Sequence, residues 1–400
     1  MATIALLGTL DTKGLEYGFA AEQIRLRGHD VLIIDVGTLD SPQLAPDITR
    51  EDVLATLSEA PYLTEDRGTA VAAMAEAAPL VLASLVEERA IDGVLALGGS
   101  GGTAIATAAM QALPIGFPKV MVSTMASGNT APYVGVKDIV MIPSIVDVAG
   151  LNQISKTVFA QAVGALCGMI ETPPVINDSD KPIIAASMFG NTTDCVQAAK
   201  ASLEGEGYEV LVFHATGAGG RSMEALIASG LVVGVLDITT TEWADELVGG
   251  VLAAGPERLE AAARRGVPAV VVPGCLDMVN FQAPNTIPAK FKGRTFYEHN
   301  PQITLMRTNA DECDQLGKIL AEKLNLSVGP VSVLLPLKGI SVISQEGQPF
   351  HDPQADAALF DSLKSHLREG IAVIDWNHAI NDDAFAIACA KTLLESINRV

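Results

Sequence analysis

Hydrophobic positions along the chain fall into two alternating textures. Short continuous runs of β-branched and aliphatic residues at 3–7, 31–36, 93–97, 119–123 and 138–142 are separated by longer Ala-rich stretches at 13–27, 65–89, 103–113 and 151–170. A short apolar run with no in-out alternation is a strand buried on both faces. The sheet that needs such strands is parallel and covered by helices on each side. The same rhythm resumes at 183–187, 210–214, 232–236, 269–272, 303–306, 331–335 and 372–375. The pattern predicts an α/β protein with mainly parallel sheets flanked by helices.

Between the two series lies a stretch of linker composition: Thr172, Pro173 and Pro174, then Asn177, Asp178, Ser179 and Asp180, then Lys181 and Pro182. It predicts two Rossmann-like domains, residues 1–178 and 179–400. The second half opens much as the first does, GHDVLIID at 28–35 comparing with GYEVLVFH at 207–214. Two readings stand. Either the halves are duplicates, with ligands at the carboxyl ends of strands near an interdomain cleft, or any two α/β strands look this much alike.

The most concentrated local signal follows the third strand: Gly98, Gly99, Ser100, Gly101, Gly102 and Thr103, then an Ala-rich helix. Absent side chains let an anion reach the backbone, and a helix N-terminus offers unpaired N–H groups at a positive dipole end. The segment lacks the lysine of a G-x-x-x-x-G-K-[ST] loop and the spacing of G-x-G-x-x-G. A tight strand-to-helix turn is the plainer alternative. The turn at 8–14 ends the first strand, and there Asp11 or Thr12 would cap the next helix. Lys13 works against the dipole at that helix start, which a bound anion would explain. Asp35, ending the second strand, is either a ribose-binding carboxylate or a surface one. After the fourth strand, 123–130 carries Ser123, Ser127 and Gly128. Three donor-rich loops at three strand ends point to a phosphate pocket.

In the second half His214, Thr216, Gly217, Gly219, Gly220 and Arg221 again lie between a strand and a helix. The set suits a carboxylate or phosphate with a titrating neighbour, although a histidine at a strand end also serves structure. Thr239, Thr240, Thr241 and Glu242 form a fourth such loop. Arg258, Arg307, His299 and His378 read as isolated surface positions. There is no H-E-x-x-H and no G-x-S-x-G, so Ser100 lacks the flanks of a hydrolase nucleophile.

Composition narrows the classes. With 49% hydrophobic and 18% charged residues among 400, the chain has the material for buried cores and is not intrinsically disordered. Twenty-six positive against 47 negative residues, net −21, disfavour nucleic acid and anionic membranes as partners. Cys167, Cys195, Cys275, Cys313 and Cys389 show no C-x-x-C spacing, which predicts reduced thiols in the cytoplasm. No secretory signal is expected. The apolar stretch 71–86 is interrupted by Glu76 and Pro79, and 151–170 by Lys156, so no membrane span is expected either.

The motifs above occur in order with Gly274, Asp277, Met278, Val279, Asn280 and Phe281, then His299, Asn300 and Pro301, then Met306, Arg307 and Thr308. Together they resemble an uncharacterised bacterial, fungal and plant family related to the N-terminal ATP-binding domain of the tomato mosaic virus resistance protein. The resemblance covers almost the whole chain. It implies two Rossmann-like domains, ATP binding and a homodimer. The plant relative's antiviral activity and its additional C-terminal barrel domain are not carried over. On this basis the cofactor expected is ATP with Mg²⁺, held by Thr12, Lys13, Asp35, Gly98, Gly99, Ser100, Gly101, Gly102, Thr103, Ser123, Ser127 and Gly128. The expected function is an ATP-dependent enzyme acting on a small anionic metabolite in the interdomain cleft. Arg221 would hold the substrate anion, His214 would transfer a proton, and Glu242 would be a second acid–base group or metal contact. The alternative is a nucleotide-binding regulatory or interaction protein without turnover.

Overall fold

In the computed structural model, which describes residues 1–58, 66–172 and 180–399, each apolar run of the first half becomes a parallel strand. The chain divides into two units, Met1–Ile176 and Asn177–Val400. Residues 173–179 of the linker stretch, and with them the predicted 178/179 boundary, lie outside the described residues.

The first unit runs β1 (Thr3–Gly8), α1 (Leu10–Leu26), β2 (Asp30–Asp35), α2 (Arg50–Leu54), α3 (Arg67–Glu87), β3 (Gly93–Gly98), α4 (Ser100–Gln111), β4 (Lys119–Ser123), α5 (Ala131–Val134), β5 (Val140–Pro143) and α6 (Gln153–Glu171). Its sheet has the order β2-β1-β3-β4-β5, with Ala5 of β1 opposite both Leu32 of β2 and Val94 of β3. Alternate residues of β1 enter two cores. Ile4 and Leu6 pack with Ile24 of α1 and Phe159 of α6, while Ala5 and Leu7 pack with Met74 of α3 and Ile105 of α4. Burial on both faces is why the run is continuously apolar. The predicted helix at 65–89 is α3, its first residue lying outside those described. The stretch Gly68–Glu87 is long and apolar enough by length and composition to cross a membrane. It instead buries Ala73, Met74, Ala77, Ala78 and Leu82, one helical face, in the core of the unit.

The second unit runs β6 (Ile183–Met188), α7 (Thr193–Gly205), β7 (Glu209–His214), α8 (Ala218–Ala228), β8 (Val232–Thr239), α9 (Glu242–Val248), α10 (Glu260–Arg265), β9 (Ala269–Gly274), β10 (Met278–Phe281), β11 (Phe296–Asn300), β12 (Ile303–Arg307), α11 (Ala310–Leu324), β13 (Val331–Pro336), α12 (Pro353–His366), β14 (Ala372–Trp376) and α13 (Asp383–Ile397). The main sheet is parallel, in the order β14-β13-β9-β8-β6-β7. Counted within the unit, this is 2-1-3-4-5 of the first unit with a sixth strand added. The run at 303–306 departs from expectation. It forms β12, the middle strand of a separate antiparallel sheet β10-β12-β11. An apolar run records burial and is silent on which sheet receives it. Its neighbour β11, FYEHN, is half polar and leaves no such run.

Candidate functional site

In the first unit, α1 leaves the end of β1 toward one core and α4 leaves the end of β3 toward the other. Adjacent parallel strands whose connections diverge open a crevice at their carboxyl ends, the switch point where α/β sheets bind ligands. Tyr17 of α1 wedges that crevice. Ladder pairing of β1 with β3 covers only Ile4, Ala5 and Leu6. Beyond it the buried Tyr17 hydroxyl donates to Leu7 O at 2.7 Å or Leu97 O at 2.9 Å and accepts from Leu97 N at 2.7 Å. Burial pushes the phenol pKa far up. One hydroxyl thus occupies backbone groups that the splayed strands leave unpaired.

Above this wedge lies a cavity of about 210 Å³. The glycine-rich segment is helical sooner than its composition suggests, because α4 begins at Ser100. Its cap residue Gly99 has no side chain to offer, and the first bonded amide is Thr103 N, on Gly99 O at 2.9 Å. The N–H groups of Ser100, Gly101 and Gly102 therefore have no acceptor among the described residues, and they line the cavity. A Cβ on Gly101 would meet nothing within 4 Å. Opposite, the backbone of α1 kinks at Lys13 (φ −126°, ψ 18°), and the lysine lines the cavity with Thr9 and Thr12. No carboxylate among the described residues pairs with its ammonium. Asp11 also lines the cavity, but its Oδ2 accepts Thr38 N at 3.2 Å and Leu39 N at 2.9 Å, pinning the loop after β2.

Other predicted binding residues serve the framework. Asp35 does not line the cavity. It is buried, Oδ1 accepts Leu10 N at 3.1 Å and Gly37 N at 2.9 Å, and Arg50 Nε lies 3.6 Å from Oδ2. Burial pushes its pKa up despite these partners, so it faces the protein and offers nothing to a ribose. Thr103 and Ser123 are buried and share a hydrogen bond of 2.6 Å that ties the β3 and β4 exits together. Gly98 closes the β3–α4 turn, where a Cβ would come within 3.3 Å of the Gly102 backbone. Ser127 and Gly128 are exposed and do not line the cavity.

The second-unit candidates are not brought together as a catalytic group. Glu242 is buried, and its Oε1 accepts Gly217 N at 2.7 Å and Gly220 N at 3.1 Å. The glycine-rich start of α8 thus binds an anion as its sequence suggests, but the anion is the protein's own. Gly220 has no side chain because a Cβ would sit 2.2 Å from Glu242 Oε2. His214 and Arg221 are exposed. The first lies against Phe189 with ring centroids 5.4 Å apart, and the second donates to Ala253 O at 3.2 Å.

Three groups that the sequence reading set aside or passed over, Arg258, Arg307 and Asp277, are buried here. Arg258, read as a surface residue, is 1% exposed. It forks onto Asp237 at 2.6 and 2.7 Å and also reaches Glu242 at 2.7 Å and Glu224 at 3.0 Å. Asp277, at the exit of β9, accepts the Ser341 hydroxyl at 2.7 Å through Oδ2, and its Oδ1 has no partner among the described residues. Burial pushes its pKa up to about 6, against the pull of the Arg307 charge. A carboxyl raised above its unfolded value holds its proton more firmly in the fold, so stability falls as pH rises from the unfolded value toward 6. Relative to wild type, Asp277→Asn should gain on the order of 2–3 kcal/mol across that window. Urea denaturation at pH 4.5 and 7.5 measures the difference, and equal gains at both would show that Asp277 does not titrate there.

Family models of the N-terminal and C-terminal domains of the uncharacterised protein family UPF0261 match residues 2–174 and 181–397. The chain belongs to UPF0261. A UPF0261 protein of Clostridium tetani is 48% identical, covering 99% of both chains. The ToMV resistance protein Tm-1(GCR237) of Solanum lycopersicum is 40% identical over 97% of this chain, which spans 55% of the tomato protein. Among solved structures, UDP-N-acetylglucosamine 2-epimerase from Rickettsia bellii is 11% identical, covers 67% of this chain and 78% of its own, and has a TM-score of 0.23, too distant to bear on function. Within this UPF0261 chain the cavity of the first unit lies inside the N-terminal family domain.

Proposed function

We propose that the protein binds ATP, with the phosphates seated in the β1–β3 crevice of the first unit. The observation that carries this is the set of three amides on the first turn of α4 that find no acceptor among the described residues, facing Lys13, which has no carboxylate partner among them, across an open cavity. Such amides together with a fixed cation are the recurring chemistry of phosphate recognition. At about 210 Å³ the cavity is smaller than the roughly 300–1,000 Å³ that encloses a whole small molecule, so it is sized for the charged end. Adenine as the base rests on the family resemblance. Mg²⁺ would arrive with the phosphates, since among the described residues no group of three His, Cys, Asp or Glu is placed to hold a metal. The five cysteines are free and buried, which suits the reducing cytoplasm. The proposal is one of binding. Glu242 is not carried into it as an acid–base group, because its carboxylate is consumed by Arg258 and the α8 amides.

Calorimetric titration of the full chain tests the reading. ATP should bind more tightly than adenosine, and Lys13→Met should weaken ATP by about tenfold or more, while Ser127→Ala should leave it unchanged. Equal affinity for ATP and adenosine, or a Lys13→Met variant that binds like wild type, would show that phosphates are not held here.

A further inference from the structure

The second unit has a crevice of its own that the nucleotide reading does not use. The connection leaving β13 leads to α12, whose Ala355, Leu359 and Leu363 pack in one core of the unit. The connection leaving β14 leads to α13, whose Phe385, Ala386 and Cys389 pack in the core on the opposite face of the sheet. Neighbouring parallel strands whose connections part in this way leave a gap above their carboxyl ends, by the same geometry that opens the β1–β3 crevice. Here the gap measures about 680 Å³, within the roughly 300–1,000 Å³ of sites that enclose a whole small molecule.

Its lining is chemically divided. Lys338, on the exit of β13, is exposed and has no carboxylate partner among the described residues, and His351 stands on the same cavity. Glu346 and Asp382 supply acceptors. Asp382 spends Oδ2 on Ala379 N at 3.0 Å and on His378 at 3.1 Å, and no bond to its Oδ1 is made among the described residues. A third carboxylate, Asp356, is already neutralised by Arg307 at 2.7 Å. The buried Phe360 provides an apolar wall. A single anionic group pairs with Lys338, and hydroxyl or ammonium donors satisfy Glu346 and Asp382. A polyphosphate is disfavoured, because its remaining charge would face two carboxylates.

We propose that the crevice above β13 and β14 is a second binding site, for a small carboxylate that also carries hydroxyl or amino groups. It is independent of the nucleotide site and stands or falls separately. The test uses the full chain and three monocarboxylate probes, L-lactate, D-gluconate and L-serine, each titrated by calorimetry and by ligand-observed NMR. At least one should bind with a dissociation constant below about 1 mM. Lys338→Met should weaken that probe by about tenfold or more. Ala357→Phe, which fills the cavity from an exposed position on α12, should abolish it. Both variants should keep the wild-type melting temperature and the wild-type response to ATP. Absence of binding by all three probes, or binding that survives both substitutions, overturns the proposal.

Discussion

Arg258→Met is expected to destabilise the second unit by about 3–5 kcal/mol, the cost of leaving buried charges without their partner. Burial by itself opposes a charged guanidinium, but the carboxylates of Asp237, Glu242 and Glu224 outweigh it and hold Arg258 firmly protonated. Once it is removed, the three carboxylates keep unequal support. Glu242 retains the Gly217 and Gly220 amides, and Glu224 retains those of Leu259 and Ala261 at 2.7 and 2.8 Å. Among the described residues Asp237 keeps only the Ser187 hydroxyl at 2.6 Å. Lysine should rescue poorly, because a point charge cannot fork onto Asp237 while also reaching Glu242 and Glu224. The variant's loss should shrink as pH is lowered from about 7.5 to about 5, toward the ordinary carboxylate values near 4. Protonation relieves the uncompensated charge there. Urea denaturation followed by tryptophan fluorescence is suited to the measurement, since Trp243 and Trp376 both belong to this unit. A loss under about 1 kcal/mol, the scale of an exposed ion pair, would mean that the network carries little of the unit's stability.

Gly101→Phe should fold as wild type does and lose ATP affinity by about a hundredfold or more, equivalent to roughly 2.7 kcal/mol. The position separates binding from folding. Its Cβ direction is open, so the substitution begins without a backbone clash. The introduced side chain would project into the space over the free amides of Ser100, Gly101 and Gly102. Thermal melting and calorimetric titration are read together. A folded variant with unchanged ATP affinity removes the phosphates from this crevice.

Much of the architecture was legible because local sequence records it. The runs at 3–7, 93–97 and 119–123 are apolar throughout, since both faces of their strands are covered, and each became a strand of the first sheet. The antiparallel sheet was not legible in the same way. Its outer strand β11 is polar at Glu298, His299 and Asn300, all exposed, and a half-exposed strand writes no continuous apolar run. At the candidate site the glycines and Lys13 announced themselves through residue type. Tyr17 did not, because a tyrosine in an amphipathic helix is ordinarily core, and only the splayed strands above it give its hydroxyl work.

The clearest division between sequence and tertiary structure is the contrast between the glycine-rich starts of α4 and α8. Both follow a strand, and composition alone marks both as helix N-termini whose backbone an anion can approach. That much is local, set by missing side chains and by amides that no helix can pair within itself. What fills each position is not local. At α8, packing delivers Glu242 from 22 residues further along the chain to the Gly220 amide, and Arg258 from 16 residues beyond that to hold the carboxylate in place. At α4 no side chain of the described residues arrives, and the amides of Ser100, Gly101 and Gly102 stay open to the cavity. An unpaired N–H is satisfied by whichever acceptor the assembled fold brings within about 3 Å. The same local signal therefore closes a core in one unit and leaves an open crevice in the other.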